Sequence, residues 1–133
     1  MDARQRVVYG AATQLRELLN DKCPRCQTVF LDFTGCCALT CPRCACGFCA
    51  WCLADCGGDA HQHVAHCPRN LAPGRSVYAN QHLWEEGRRQ RRQEAVTALL
   101  RGLPRDVASS VVEATQGELV DVGLQAVAAA FLA

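Results

Sequence analysis

The sequence predicts a small metal-stabilised domain with a short β-hairpin, flanked by an N-terminal helix and a C-terminal three-helix segment. Three observations predict this mixture of α-helix and irregular structure. The 133-residue chain contains 11 cysteines, most of them in Cys-x-x-Cys pairs. Apolar residues on either side of these pairs recur at helical spacing. Aromatic residues make up only 6% of the chain, so bound metal must supply much of the folding free energy of the cysteine-rich part.

Eight residues have the spacing of metal ligands. In a Cys-x-x-Cys turn the two sulfurs converge on one ion, and thiolates suit zinc. Eight ligands complete two tetrahedral sites with no open position. The sequence therefore predicts a zinc-binding domain of two knuckle or ribbon sites that holds two zinc ions. The predicted ligands are Cys23, Cys26, Cys41, Cys44, Cys49, Cys52, His63 and Cys67.

Disulfides and an iron–sulfur cluster are the alternatives for these cysteines. Disulfides are disfavoured because 11 is an odd number and because the N-terminus has no apolar stretch typical of a secretory signal. A cluster would use only four thiolates and leave the others unexplained. Cys56 and His61 remain rivals to His63 as a ligand, because the interval between Cys52 and Cys67 permits several loops.

Charge and hydropathy argue against two classes of partner. A formal net charge of +1 is not that of a general nucleic-acid binder. No run of about 18 apolar residues is present to cross a membrane. We therefore expect neither nucleic acid nor membrane as a partner. The paired Cys-x-x-Cys knuckles and the lack of a secretory signal at the N-terminus predict a location in the cytoplasm or the nucleus.

The chain divides into three predicted segments: an N-terminal amphipathic helix at 1–21, the two-zinc domain at 22–75 and a C-terminal helical bundle at 76–133. In the zinc segment, residues 29–33 alternate weakly and predict a strand. The chain is expected to turn at Thr34-Gly35 and to return as a strand over 38–40. The first zinc would clamp the open end of this hairpin.

Three amphipathic helices are predicted in the C-terminal segment. The first covers 78–100 and stops before Pro104, which suits the first turn of the next helix. Gly117 is expected to separate the second helix from the third. The first helix also carries a basic cluster, which predicts either a solvated face or a docking surface for an acidic protein partner. Its members are Arg88, Arg89, Arg91 and Arg92.

The ligand order, Gly35-Cys36 and the stretch Phe48-Cys49-Ala50-Trp51-Cys52 resemble one family. They look like the catalytic zinc domain, RING2 or Rcat, of the RING-between-RING ubiquitin ligases. In that family a Cys-x-x-Cys knuckle leads through a short hairpin to a Gly-Cys tip, and the third zinc cysteine follows at the interval that separates Cys36 from Cys41. The related in-between-RING (IBR) fold shares the arrangement without an active cysteine. The resemblance covers residues 23–67.

The resemblance implies covalent catalysis by a cysteine. Cys36, with Cys37 beside it, stands where the family's ligase cysteine accepts ubiquitin as a thioester and passes it to a substrate amine. Such a cysteine must be exposed and must not be a metal ligand. The partners implied are ubiquitin and a ubiquitin-conjugating enzyme. Independently of the resemblance, the flanking helices are expected to dock further protein partners.

Two positions depart from the family pattern. Many members carry a histidine two residues after the cysteine as a base, and this chain has Ala38 there. Asp32, His61 or His66 could take its place. The family's paired glycines are reduced to Thr34-Gly35.

We expect the chain to be part of a larger ligase or to work with a separate partner, because it lacks an upstream RING. The alternative function is that of a non-catalytic IBR-like zinc module for protein–protein interaction. The two functions differ in whether Cys36 or Cys37 is a free, reactive thiol.

Overall fold

A computed structural model describes residues 1–30 and 33–132 of the chain. Two short strands, five α-helices and one 3-10 turn are found in these ranges. The elements are α1 (Ala3–Leu18), β1 (Ala38–Thr40), β2 (Gly47–Cys49), α2 (His61–His66), the 3-10 turn (Pro73–Arg75), α3 (Gln81–Arg101), α4 (Arg105–Asp121) and α5 (Gln125–Phe131). One helix before the cysteine-rich part and three after it agree with the prediction.

Residues 1–20 and 92–132 form one compact helical unit. α1 begins with a capping box, in which Asp2 accepts the Gln5 N–H at 2.7 Å and Gln5 accepts the Asp2 N–H at 2.8 Å. The N-terminal helix thus shares a core with the C-terminal helices, whereas the sequence predicts them as separate segments. That core consists mainly of aliphatic side chains, including Leu15, Val96, Leu100, Val111, Val112, Leu119 and Leu124.

The prediction that Gly117 separates two helices is wrong. α4 continues to Asp121, and the chain breaks instead at Gly123, whose φ is +79°. There the Gly123 N–H donates to Val120 at 3.0 Å, and the left-handed residue ends the helix. A helical glycine costs only about 1 kcal/mol relative to alanine, which the burial of Leu119 on the same helix outweighs.

The described residues of 21–91 form the second compact unit. Its sheet is the antiparallel pair of β1 and β2, with Ala38 opposite Cys49 and Thr40 opposite Gly47. Its main core packs around Trp51, which is 1% exposed, and Trp84, which is 2% exposed.

The strand at 38–40 pairs with a different segment from the one that the sequence predicts. The return strand at 38–40 is present, but it pairs with residues 47–49. Val29 makes only an isolated bridge, with Lys22, and residues 31–32 of the predicted strand lie outside the described residues. The physical reason is that each Cys-x-x-Cys knuckle is itself a tight turn, so strands pair across a knuckle.

Candidate metal centres and the Cys36 loop

The first candidate metal centre brings four cysteines together: Cys23, Cys26, Cys41 and Cys44. Their sulfurs lie within 4.8 Å of one another. The Cys23–Cys44 and Cys26–Cys41 Sγ distances are both 3.6 Å. Four sulfurs placed about 2.3 Å from a central zinc would be about 3.8 Å apart. The set is therefore close to the tetrahedron that a structural zinc requires.

The second candidate centre consists of three cysteines and one histidine: Cys49, Cys52, His63 and Cys67. Their ligand atoms also lie within 4.8 Å of one another. His63 directs Nε2 at the Cys52 sulfur, at 3.2 Å. α2 carries His63 and ends next to Cys67, as the four-residue spacing predicts. Four cysteines, or three cysteines with one histidine, are both ligand sets of structural zinc, so the prediction of two zinc ions is supported by two fitting sites.

The rivals to His63 are engaged elsewhere. The His61 ring bonds to the Asp59 carboxylate at 2.5 Å, and the Cys56 thiol donates to the Ala54 carbonyl at 3.4 Å. Neither belongs to the group of four ligand atoms. His63 is therefore the residue that completes the second set.

One backbone design builds all three Cys-x-x-Cys knuckles. In the first, the Cys23 N–H donates to Thr28 at 2.9 Å and the Gln27 N–H donates back to Cys23 at 3.0 Å. These two bonds close the turn and bring both sulfurs to one side. In the second knuckle the equivalent bonds run from the Cys41 N–H to Cys46 at 2.9 Å and from the Ala45 N–H to Cys41 at 2.9 Å. In the third they run from the Cys49 N–H to Ala54 at 3.3 Å and from the Leu53 N–H to Cys49 at 2.7 Å.

Hydrogen bonds lower the pKa of at least one cysteine thiol in each centre. A hydrogen bond with Cys49 lowers the pKa of the Cys52 thiol to about 4, and the pKa of Cys49 is raised in return. In the first centre, a hydrogen bond with the Thr28 hydroxyl at 3.0 Å helps to lower the pKa of Cys26 to about 6. Each centre therefore holds at least one thiol that favours thiolate at neutral pH, the form that binds zinc, while burial and neighbouring thiols raise the pKa of others such as Cys44 and Cys67.

An ion pair joins the first knuckle to the loop that follows the third. The Arg25 guanidinium donates to both carboxylate oxygens of Asp55, at 3.0 and 3.2 Å. The hydrogen bond from Arg25 is the main reason that the pKa of Asp55 is lowered to about 2. Asp55 also accepts the Gly57 N–H at 2.9 Å, so this carboxylate orders the loop between Cys52 and His63 of the second centre and ties it to the first knuckle.

The two cysteines proposed for chemistry have different environments. Cys37 is fully buried, and burial raises the pKa of its thiol to about 12, which disfavours thiolate. Cys36 is half-buried and belongs to neither metal centre. Its thiol donates weakly to the Ala38 carbonyl at 3.5 Å. Of the pair, Cys36 is the partly exposed residue.

The two candidate bases that the structure describes, His61 and His66, are hydrogen-bonded to other groups than Cys36. His61 is paired with Asp59, and the His66 ring bonds to the Gln62 carbonyl at 2.9 Å. Both lie on α2. Asp32 lies outside the described residues.

The basic cluster on α3 makes contacts within the chain. Arg88 and Arg91 both bond the buried carboxylate of Asp21, at 3.3 and 2.6 Å. Arg88 also stacks over the Trp84 ring, 4.4 Å from its centroid.

Arg89 pairs with Glu86 at 2.5 Å. The Arg92 guanidinium, within the helical unit, donates to the Leu19 carbonyl at 2.6 Å. Arg88, Arg91 and Arg92 therefore hold distant parts of their own units together, whereas the pair of Arg89 with Glu86 lies along one helix.

The sequence analysis missed one polar residue beside the second centre. Asn70 is 8% exposed, and its amide group makes three hydrogen bonds. It donates to the carbonyls of Val64 and Ser76, at 2.9 and 3.1 Å, and accepts the Ala72 N–H at 2.8 Å. Asparagine is common in loops, so nothing in its spacing could have singled it out.

Fold and site together define a class, that of a two-zinc domain joined to a helical unit. Comparison of the chain with protein-family models, with curated proteins and with solved structures gave no match. None of the described helices is long and apolar enough to cross a membrane.

Proposed function

We propose that the chain is a RING2/Rcat-type ubiquitin-transfer domain with Cys36 as its nucleophile. The observation that supports this proposal is the location and partial exposure of Cys36. Its thiol lies outside both metal centres, on the loop between the first two knuckles, and Cys36 is partly exposed while Cys37 is buried. A thiol transferase needs a cysteine that the metal does not consume.

The proposed reaction has two thioester steps. The Cys36 thiolate attacks the carbonyl carbon of a ubiquitin thioester, a new thioester forms on Cys36, and the donor thiol leaves. A substrate amine then attacks this carbonyl, an amide bond forms, and the Cys36 thiolate is released. The amine must lose a proton in the second step. We infer that water or a partner protein takes that proton, because no described imidazole or carboxylate is hydrogen-bonded to Cys36.

The zinc ions would have a structural role in this reaction. Both ligand sets are closed, so neither ion offers an open position to substrate. Their contribution is to hold the knuckles, and with them the loop that carries Cys36.

The test uses a chemically prepared ubiquitin thioester, because this donor does not need a conjugating enzyme. We expect the zinc-loaded chain to form an adduct that excess thiol removes. Cys36→Ser should instead form a thiol-resistant ester, and Cys36→Ala should form none while keeping two zinc ions. Cys46→Ala is the matched control, since Cys46 is a buried thiol outside both centres. An adduct that persists in zinc-loaded Cys36→Ala would refute the proposal.

A second candidate function is a non-catalytic module that binds a protein. It is favoured by an apolar cavity of about 380 Å³ beside the first metal centre, lined in part by Val29, Phe30, Leu39 and Phe48. Val29 is 45% exposed there. This candidate would be preferred if the wild-type chain, holding two zinc ions, never formed the thioester.

A further inference from the structure

The loop that carries Cys36 is held by a strap from outside the predicted zinc segment. The strap consists of residues 77–79, which run antiparallel to residues 35–37. The Cys37 N–H donates to the Val77 carbonyl at 2.7 Å, and the Ala79 N–H donates to the Gly35 carbonyl at 2.9 Å. The backbone is therefore fixed on both sides of Cys36.

This pairing also fixes where the Cys36 side chain points. Because the two bonds flank Cys36 and Tyr78, these two residues form the non-hydrogen-bonded pair of an antiparallel bridge. Residues in such a pair have Cα atoms about 4.5 Å apart and side chains on the same face. Cys36 therefore shares a face with Tyr78, whose side chain is largely exposed.

Asn70 connects the strap to the second metal centre. Its amide donates to Val64 of α2, the helix that carries His63, and to Ser76, the residue before the strap. The Ser76 hydroxyl in turn accepts the Tyr78 N–H at 3.1 Å. Hydrogen bonds, joined by short stretches of backbone, thus connect α2 through Asn70 and the strap to the Cys36 loop.

We propose that Asn70 is a positioning residue for the Cys36 thiol and acts through the strap. The role of positioning a nucleophile rests on the proposed function of Cys36. With the strap in place, the thiol is held at one position against β1, where it meets a large, oriented acyl donor. Without it, the loop opens, small reagents reach the sulfur more easily, and oriented transfer becomes slower.

The first test is Asn70→Asp, which keeps the acceptor for Ala72 and removes both donors. Peptide mass spectrometry of the zinc-loaded protein gives the iodoacetamide rate at Cys36. Loss of one or two hydrogen bonds should raise this rate by about three- to tenfold, while transfer from the ubiquitin thioester falls. Thr115→Val is the control, because it removes another buried hydrogen bond, to Val111 in the helical unit, and should leave both rates unchanged.

A second variant, Ala79→Pro, removes the donor to Gly35 without touching Asn70 or a metal ligand. The same rise in alkylation rate is expected, with two zinc ions retained. An unchanged rate in Ala79→Pro would overturn the role of the strap. An unchanged rate in Asn70→Asp, or loss of the second zinc from it, would overturn the role of Asn70. If the wild-type chain forms no ubiquitin adduct, the proposed function fails, and the alkylation rates still decide whether Asn70 and the strap hold Cys36.

Discussion

The residue after each knuckle is the most constrained position of the metal centres. Gln27, Ala45 and Leu53 have φ values of +67°, +63° and +60°. None is glycine, although this left-handed region costs a residue with a Cβ about 1–2 kcal/mol. The turn nevertheless persists because two backbone bonds close it and a metal ion would hold both sulfurs.

Ala45→Gly should therefore stabilise the zinc-loaded protein by about 1 kcal/mol, because it removes this backbone strain. Ala45 is exposed, so no packing is lost. The measurement is thermal unfolding with excess zinc. Ala98→Gly is the opposite control, since Ala98 is exposed within α3 and the change should cost about 1 kcal/mol. A lower melting temperature for Ala45→Gly would contradict the strain assigned to the knuckles.

Two helical glycines differ in what surrounds them. A Cβ on Gly87 of α3 would lie 2.5 and 2.6 Å from carbons of the Trp51 ring, whereas a Cβ on Gly117 of α4 would meet nothing within 4 Å. Gly87 is therefore required for the close approach of α3 to the buried Trp51. Gly117 has no such reason to be glycine.

Substitution by alanine should have opposite effects at the two sites. Gly87→Ala should destabilise the protein by about 1–3 kcal/mol through overpacking. Gly117→Ala should stabilise it by about 0.5–1 kcal/mol, because alanine loses less entropy on entering a helix. Denaturant unfolding of the zinc-loaded variants measures both. If both variants changed the free energy of unfolding in the same direction, either the close packing of α3 on Trp51 or the helical conformation of Gly117 in α4 would be contradicted.

Local spacing explains how much of these elements could be predicted from the sequence. The two ligand sets could be predicted from spacing alone, because they consist of Cys-x-x-Cys turns and of His63 and Cys67, which are four residues apart. The strand at 38–40 was also predictable, but its partner was not, because the knuckle turns set the pairing. The end of α4 was misplaced because Gly117 and Gly123 differ only in backbone conformation.

Contacts between polar residues that are distant in the sequence could not be predicted, because they follow no regular spacing. Asp21 lies 67 and 70 positions from Arg88 and Arg91, whereas the sequence predicts a solvated or docking face for these arginines. Asn70 and the strap are likewise defined only once the chain is folded. Such residues satisfy one another in three dimensions and have no fixed spacing in sequence.

At the scale of the whole molecule, metal dependence should differ between the two compact units. Both tryptophans of the chain, Trp51 and Trp84, lie in the unit that carries both metal centres. The helices α1, α4 and α5 lie in the other unit, which has an aliphatic core. Tryptophan fluorescence thus reports on the metal-binding unit, and helical circular dichroism reports mainly on the other.

Removal of zinc by a strong chelator should therefore red-shift tryptophan emission while most helical signal remains. The physical reason is that a structural zinc contributes roughly 10–16 kcal/mol to folding, and only one unit contains the sites. Zinc added back should restore the emission. Simultaneous loss of both signals at one chelator concentration would contradict this difference between the units.

Native mass spectrometry of the purified chain is the most direct test of the two metal centres. We expect the mass of the chain plus two zinc ions, with all cysteines reduced. Cys41→Ser and Cys49→Ser should each lose an ion, from the first and second centre respectively, while Cys36→Ala keeps both. A single ion, or a metal-free chain with intact disulfides, would contradict the two-centre architecture on which the role of Cys36 depends.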